Sequence, residues 1–483
     1  MTAQQQLIFQ DSSVLQDFML SALLDDSPLT PTADFAAWFA SRADAHPFQV
    51  SRVPFAELTG WRFDPTTGNL GHESGRFFTI GGLDVRTDRT WISHWRQPII
   101  VQPEIGVLGI LAKKFDGILH FLMQAKMEPG NVNTVQLSPT VQATRSNYMG
   151  VHKGAEIRYL EHFAPGRHSR VLVDALQSEQ GAWFLHKRNR NMVVETDEDV
   201  MVEKDFCWLT LGQIRGLLRI EHLVNMDART VLSCIPVAVS AGSHSAQGKS
   251  AASGEFPLSV LRSAQGEGGA RHSISEVLSW LTELRARREL IAERIPLTEV
   301  RHGGWQRSAT AISHESGRYF EVVAVDVQAG SREIASWRQP LVAPRETGLL
   351  ALIARTVDGT LHILVQARAD AGSLNGAEIA PTVHCQPANY RDVPPEHRPH
   401  FLDYVEEAEP HTIRYDVMQS EEGGRFLHAV NRYLVIEAGE DFPLDVPEEY
   451  CWVTVYQLTS LLAHSNYLNV ELRSLLACTQ SIW

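Results

Sequence analysis

Cysteine is scarce: five residues in 483 (Cys207, Cys234, Cys385, Cys451 and Cys478), odd in number and without a C-x-x-C pair. Neither a disulfide framework nor a cysteine zinc site is suggested, and the five read as small buried hydrophobes. Long apolar runs are missing too. No stretch approaches the roughly 18–20 residues of a membrane span, and MTAQQQLIFQDSS lacks the basic-then-apolar layout of a secretory signal. A cytoplasmic protein without a membrane partner is expected. Basic residues are outnumbered, 43 Lys+Arg against 57 Asp+Glu for a net charge of −14, a field that repels polyanions, so no nucleic-acid partner is expected. Also absent are G-x-G-x-x-G after a strand, the Walker loop, H-E-x-x-H, G-x-S-x-G and the kinase set, which leaves nicotinamide, P-loop and zincin chemistry unsupported.

What is present is a folded composition, 44% hydrophobic and 21% charged with 11 Trp, 19 Phe and 10 Tyr. The length, about three times a typical ~150-residue domain, predicts two or three cores. Self-similarity decides between them. HESGRFF at 72–78 returns as HESGRYF at 314–320, and WRQPII at 95–100 as WRQPLV at 337–342. At the same offset of 242, DGILHFLMQAK matches DGTLHILVQAR, SPTVQATRSNY matches APTVHCQPANY, and QSEQGAWFLHKRNRNMVVE matches QSEEGGRFLHAVNRYLVIE. Near the ends the offset slips to 244, where FCWLTLGQ matches YCWVTVYQ.

Two units therefore follow, 1–239 and 273–483, with the Ser/Ala/Gly-rich stretch 240–272 as a flexible linker. Each opens with a helix (Phe35, Trp38, Phe39; Ile274, Val277, Leu278, Leu281), with Trp38 and Trp280 packing inward. Two apolar strands joined by an Asp-Gly turn come next, then a strand pair around QSE-Q/E-G. Leu-rich helices at 211–224 and 456–463 precede a last helix capped by Asn225 or Asn469. The unit is α+β, a twisted sheet with flanking helices.

The matched polar residues carry the chemical information. Trp95-Arg96-Gln97 with Trp337-Arg338-Gln339, the SPT/APT turns, and Asn147-Tyr148 with Asn389-Tyr390 combine aromatic faces with amide and guanidinium donors. These suit a base-plus-diphosphate ligand; the alternative is a buried Trp and a structural Arg. Glu179/Glu421, His186/His428, Asn189/Asn431 and Arg190/Arg432 lie on the QSE hairpin, where a carboxylate and an imidazole divide acid and base work or, alternatively, strand residues form ion pairs. His120 and His362 read as core histidines.

The segments WRQPI, residues 111–131, QLSPTVQATRSNY, QSEQG-x-WFL-x-KRNRNMVV and FCWLTLGQ resemble the NDP-hexose 2,3-dehydratase family of deoxysugar biosynthesis over nearly the whole chain, duplication included. The resemblance implies two fused Nudix-like domains, each a twisted mixed sheet with flanking helices. It also implies action on dTDP-4-keto-6-deoxy-D-glucose without a cofactor, a homodimer, and an NADPH-dependent 3-ketoreductase that consumes the product. The hydrolase signature G-x₅-E-x₇-R-E-x-x-E-E is missing, so hydrolysis is the weaker reading, beside a non-catalytic nucleotide-sugar binding protein. Under the dehydratase reading, Glu179 or His186 is the base at C-3, Lys187 or Arg188 stabilises the enolate or a phosphate, and Tyr148 donates to the leaving hydroxyl or simply hydrogen-bonds the ligand. Trp95, Arg96, Gln124, Lys126, Thr140, Arg145 and Asn147 form the dTDP clamp.

At the 242 offset, Lys126, Arg145, His152, Lys187 and Arg188 face Arg368, Pro387, Pro394, Ala429 and Val430, so the first half is expected to hold the working pocket. The second half's ligand site would comprise Trp337, Arg338, Thr382, Asn389, Tyr390, Glu421 and Arg425. The alternatives are an active pocket built on Glu378, Tyr390, Glu421 and Arg425, or one pocket drawn from both halves.

Overall fold

The computed structural model describes residues 12–88, 92–144, 157–164, 169–236, 255–330 and 335–482. The Asp-Gly turns behave as their chemistry demands. Asp116 and Gly117 both take positive φ (49° and 81°), as do Asp358 and Gly359 (48° and 75°). This joins strand Gly106–Phe115 to Ile118–Met127, and Gly348–Val357 to Thr360–Arg368, as tight antiparallel hairpins. Around each hairpin a seven-stranded sheet forms. In the first half its order is Arg170–Ser178, Arg188–Glu195, Gly106–Phe115, Ile118–Met127, Phe206–Leu209, with two short strands completing it. Arg188–Glu195 runs parallel to Gly106–Phe115 and every other pair is antiparallel, so the sheet is mixed. The second half repeats this arrangement strand for strand.

The expected helices form. Asn225 Oδ1 accepts from Ala228 N (2.8 Å) and Asn469 Oδ1 from Leu472 N (3.0 Å), capping Met226–Ser233 and Val470–Thr479. Trp38 and Trp280 pack, partly buried, against the main core.

Two features depart from two units joined by a linker. Within the Ser/Ala/Gly-rich stretch, Glu255–Ala264 is a helix that packs on strand Thr360–Arg368 and buries Ser259, Val260 and Ser263. It repeats Ser12–Leu23 of the first half; its small residues lie at a close contact, which composition alone renders as flexibility. The halves also exchange strands. Phe48–Val53 pairs with Phe320–Ala329 of the second half, and Leu290–Ile295 pairs with Thr79–Thr87 of the first. The core follows the exchange. Helices Met226–Ser233 and Val470–Thr479 lie side by side, and one apolar cluster runs from Val231 and Leu232 to Leu475 and Leu476. Each such buried side chain contributes about 1.5–3 kcal/mol, and here that contribution binds one half to the other.

Candidate active site

The exchange brings loops of opposite halves together. Gly130 N donates to Gly423 O (2.7 Å) and His428 N to Gly130 O (2.8 Å); the mirror contacts are Gly372 N to Gly181 O and His186 N to Gly372 O. A Cβ on Gly130 would sit 1.6 Å from Phe426 O, and one on Gly372 1.9 Å from Phe184 O, so glycine alone permits this approach. Each QSE loop is thereby laid against the opposite half.

One result is a cavity of about 220 Å³ lined by both halves. The first half contributes Lys126, Glu128, Gln142, Glu179, Lys187, Asn189 and Asp227; the second contributes Trp337, Gln339, Glu422 and Arg425. Glu179 is buried, with Oε1 accepting from Asn189 Nδ2 (2.8 Å) and Oε2 without a hydrogen-bond partner among the described residues. Burial raises its pKa, opposed by the charge of Arg473. Glu422 Oε2 is likewise buried and without such a partner. Burial, with Glu128 and Glu179 nearby and Arg425 opposing, brings Glu422 up to about 7. Lys187 donates to Glu104 O, and burial brings it down to about 8 against the pull of Glu179. Lys126 pairs with Glu128 (3.1 Å) and donates to Gln142 Oε1, while Gln142 Nε2 donates to Asp227 Oδ2. Burial holds Asp227 well above the carboxylate range. Arg425 lies over Phe78, its guanidinium carbon 4.4 Å from the ring centre, and donates to Gln102.

Carboxylates whose pKa burial raises, beside a lysine whose pKa it lowers, are a proton-transfer set. Desolvation is the common cause: burial penalises every charge, so acids rise and bases fall.

Of the residues expected from sequence, Glu179, Lys187 and Lys126 meet here, joined by Trp337 and Arg425, which had been placed in a separate second-half site. Arg145, Asn147 and Tyr148 lie outside the described residues. In sequence they follow Thr144, a cavity residue. His186 is exposed, with φ +54°, and is held by its backbone. Arg188 pairs with Ser178 at the strand end and does not line the cavity.

The remaining clamp candidates serve the scaffold. Arg96 pairs with Asp84 (2.6 Å) and Arg338 with Asp326 (2.7 Å), and their carbonyls accept from Trp305 and Trp61 of the opposite half. Trp95 donates to Gln97. Thr140 and Thr382 bridge neighbouring strands, each accepting from one backbone N–H and donating to a backbone carbonyl. Gln124, within the sheet, faces Phe206 and Ser138. Asn389 bonds Gln386, and Tyr390 packs on the second half's own core. Glu421 has both oxygens occupied, by Asn431, Tyr433 and Gln180. The strand Arg residues pair with carboxylates, Arg190 with Asp174 and Arg432 with Asp416.

Sequence reasoning passed over Glu128, Gln142, Asp227 and Glu422. A signal for Glu422 lies in the sequence: its counterpart at the 242 offset is the neutral Gln180, so the second half gains an acid there while it loses cations elsewhere.

Two intertwined copies of an α+β unit that close on one acid–base cavity define a duplicated scaffold suited to proton-transfer chemistry. Sequence comparison narrows this: the chain belongs to the NDP-hexose 2,3-dehydratase family, whose profile matches residues 32–235 and 274–479. It is similar to proteins named dTDP-4-dehydro-6-deoxy-alpha-D-glucopyranose 2,3-dehydratase. The one from Saccharopolyspora spinosa is 51% identical over 96% of this chain and 95% of its own, and the one from Amycolatopsis orientalis 50% identical over 95% and 92%. That from Streptomyces violaceoruber is 48% identical over 94% and 98%.

Proposed function

We propose that this protein removes water across C-2 and C-3 of dTDP-4-keto-6-deoxy-D-glucose, and that the composite cavity is where it does so. The single observation that carries the site assignment is the buried set Glu179, Lys187 and Glu422 in one cavity. The ketone at C-4 acidifies the C-3 hydrogen. Glu179 removes that proton, and Lys187 in its protonated form stabilises the oxyanion developing at C-4. The enolate then expels the C-2 hydroxyl as Glu422 gives it a proton, and water leaves. The resulting enol loses its hydroxyl proton and gains one at C-2, yielding a 3,4-diketo-2,6-dideoxy sugar and restoring both carboxyl groups. Arg425 and Trp337 supply a cation and an aromatic face for the nucleotide diphosphate. Tyr148, Asn147 and Arg145, next in sequence to a lining residue, remain candidates for the same ligand.

The diketone is reactive, so a separate NADPH-dependent 3-ketoreductase is the proposed consumer of the product, and a cytoplasmic homodimer the proposed working form. Incubation with substrate in D₂O, alone and with such a reductase, tests the reading. A 2-deoxy product with deuterium at C-2 is expected. Release of dTMP would instead indicate a hydrolase, and binding without turnover a sensor.

A further inference from the structure

Two arginines, Arg229 and Arg473, are wholly buried between the halves, related by the 244 offset. Arg473, on the last helix of the second half, donates Nη2 to Ser178 O (2.5 Å), Nη1 to Leu468 O (2.7 Å) and Ser178 Oγ (3.5 Å), and Nε to Thr230 Oγ1 (3.2 Å). All of these acceptors are neutral, so the guanidinium charge acts on carboxylates nearby. Two flank its main acceptor: Glu179 follows Ser178 in the chain, and Glu378 Oε2 accepts from Ser178 Oγ (3.1 Å). Arg229 makes the mirror contacts, to Ser420 O, Val224 O and Ser474 Oγ. There the adjoining carboxylate, Glu421, is already satisfied by three side-chain donors.

We propose that Arg473 is the positioning residue for Glu179: from the second half it pins the Ser178 carbonyl that orients the carboxylate, and it places a positive charge beside a carboxylate held out of water. The proposal rests on the reading of Glu179 as the base. Glu179 also faces Lys187, which favours its anion, and Glu421, Glu422 and Asp227, which oppose it. Among these, Arg473 exerts the largest stabilising effect, and it does the same for Glu378. A buried guanidinium bonded only to neutral oxygens is costly unless its field is used; here the field falls on the carboxylate with an open oxygen.

The test compares wild type, Arg473→Lys, Arg473→Gln and Arg229→Gln in turnover, C-3 proton abstraction and thermal unfolding across pH. Arg473→Gln should move the acidic limb of kcat upward by about one pH unit or more, with KM changed less than about threefold. Arg473→Lys should restore most of that shift, and Arg229→Gln should leave the limb in place. A superimposable profile for Arg473→Gln, or an equal shift in Arg229→Gln, would overturn the proposal. Should Arg473→Gln not fold, Arg473→Gln/Glu179→Gln decides: recovered folding supports the coupling, and continued failure sinks it. Normal turnover in Glu179→Gln would remove the base assignment, and the Arg473–Glu179 coupling would then be read from unfolding alone.

Discussion

The cavity and its counterpart in the other half share one backbone plan and differ in which charges are left open. Around Glu179 stand Lys187, Glu422 and Arg425; around Glu421 the matching positions hold Ala429, Gln180 and Trp183. Gln180 donates to Glu421 directly (2.8 Å), and Trp183 lies tilted against Phe426 with ring centres 4.6 Å apart. Arg368 is consumed by Asp370 (2.8 Å), and burial, aided by Arg368, holds the nearby His384 neutral, down at about 3. The Glu421 carboxylate is thus fully hydrogen-bonded, whereas Glu179 keeps an oxygen without a hydrogen-bond partner among the described residues. Duplication supplied two similar frames, and a handful of side chains set their charges apart.

Transplanting residues between the frames tests this contrast. The largest effect is expected from Glu179→Gln, with turnover and C-3 deuterium exchange falling roughly 10²–10⁴-fold. Glu421→Gln, measured in folded protein, should stay within about tenfold of wild type. A reversal of the two would move the active cavity to the other half.

Glu422→Gln imports the amide of Gln180 and should lower turnover about 10–100-fold. It should also change stability with a defined sign. Because Glu422 binds its proton more tightly when folded, the native state loses stability as pH rises from the unfolded value near 4.5 through about 7. The glutamine variant should therefore be more stable than wild type at pH 8, by an amount on the order of 1–3 kcal/mol, and show little gain at pH 4. Calorimetry at the two pH values decides it.

Arg425→Trp, copying Trp183, should raise KM about tenfold or more with a smaller change in kcat. An unchanged KM would place the diphosphate elsewhere. The smallest effects belong to residues the two frames use alike. Thr140→Val and Thr382→Val should each cost about 1 kcal/mol of stability with normal turnover. His186→Asn, which tolerates the left-handed backbone, should leave C-3 exchange intact, and its loss would return His186 to the mechanism.

Much of the scaffold was legible because its causes are local. An Asp-Gly pair needs two positive φ values whatever surrounds it, and Asn225 caps whatever helix follows. The repeat, the α+β character and the family were equally open to reading, since they rest on residue identities at a constant offset. Glu179 stood out as a polar residue matched at the 242 offset by Glu421, and Lys187 as a cation whose counterpart is Ala429. The helix Glu255–Ala264 was hidden by its small residues.

By itself, then, the sequence determined the unit, its duplication, its turns and caps, and the family to which the chain belongs. Only the tertiary structure decided which copy of each strand pairs with which sheet, and therefore that Glu422 and Arg425 complete a cavity begun by Glu179. The physical reason is that two copies of one unit present equivalent sheet edges and equivalent apolar faces. Periodicity matches either partner, and the choice is made by contacts far apart in the chain: the glycine approaches at Gly130 and Gly372, the paired helices ending each half, and the buried arginines between them.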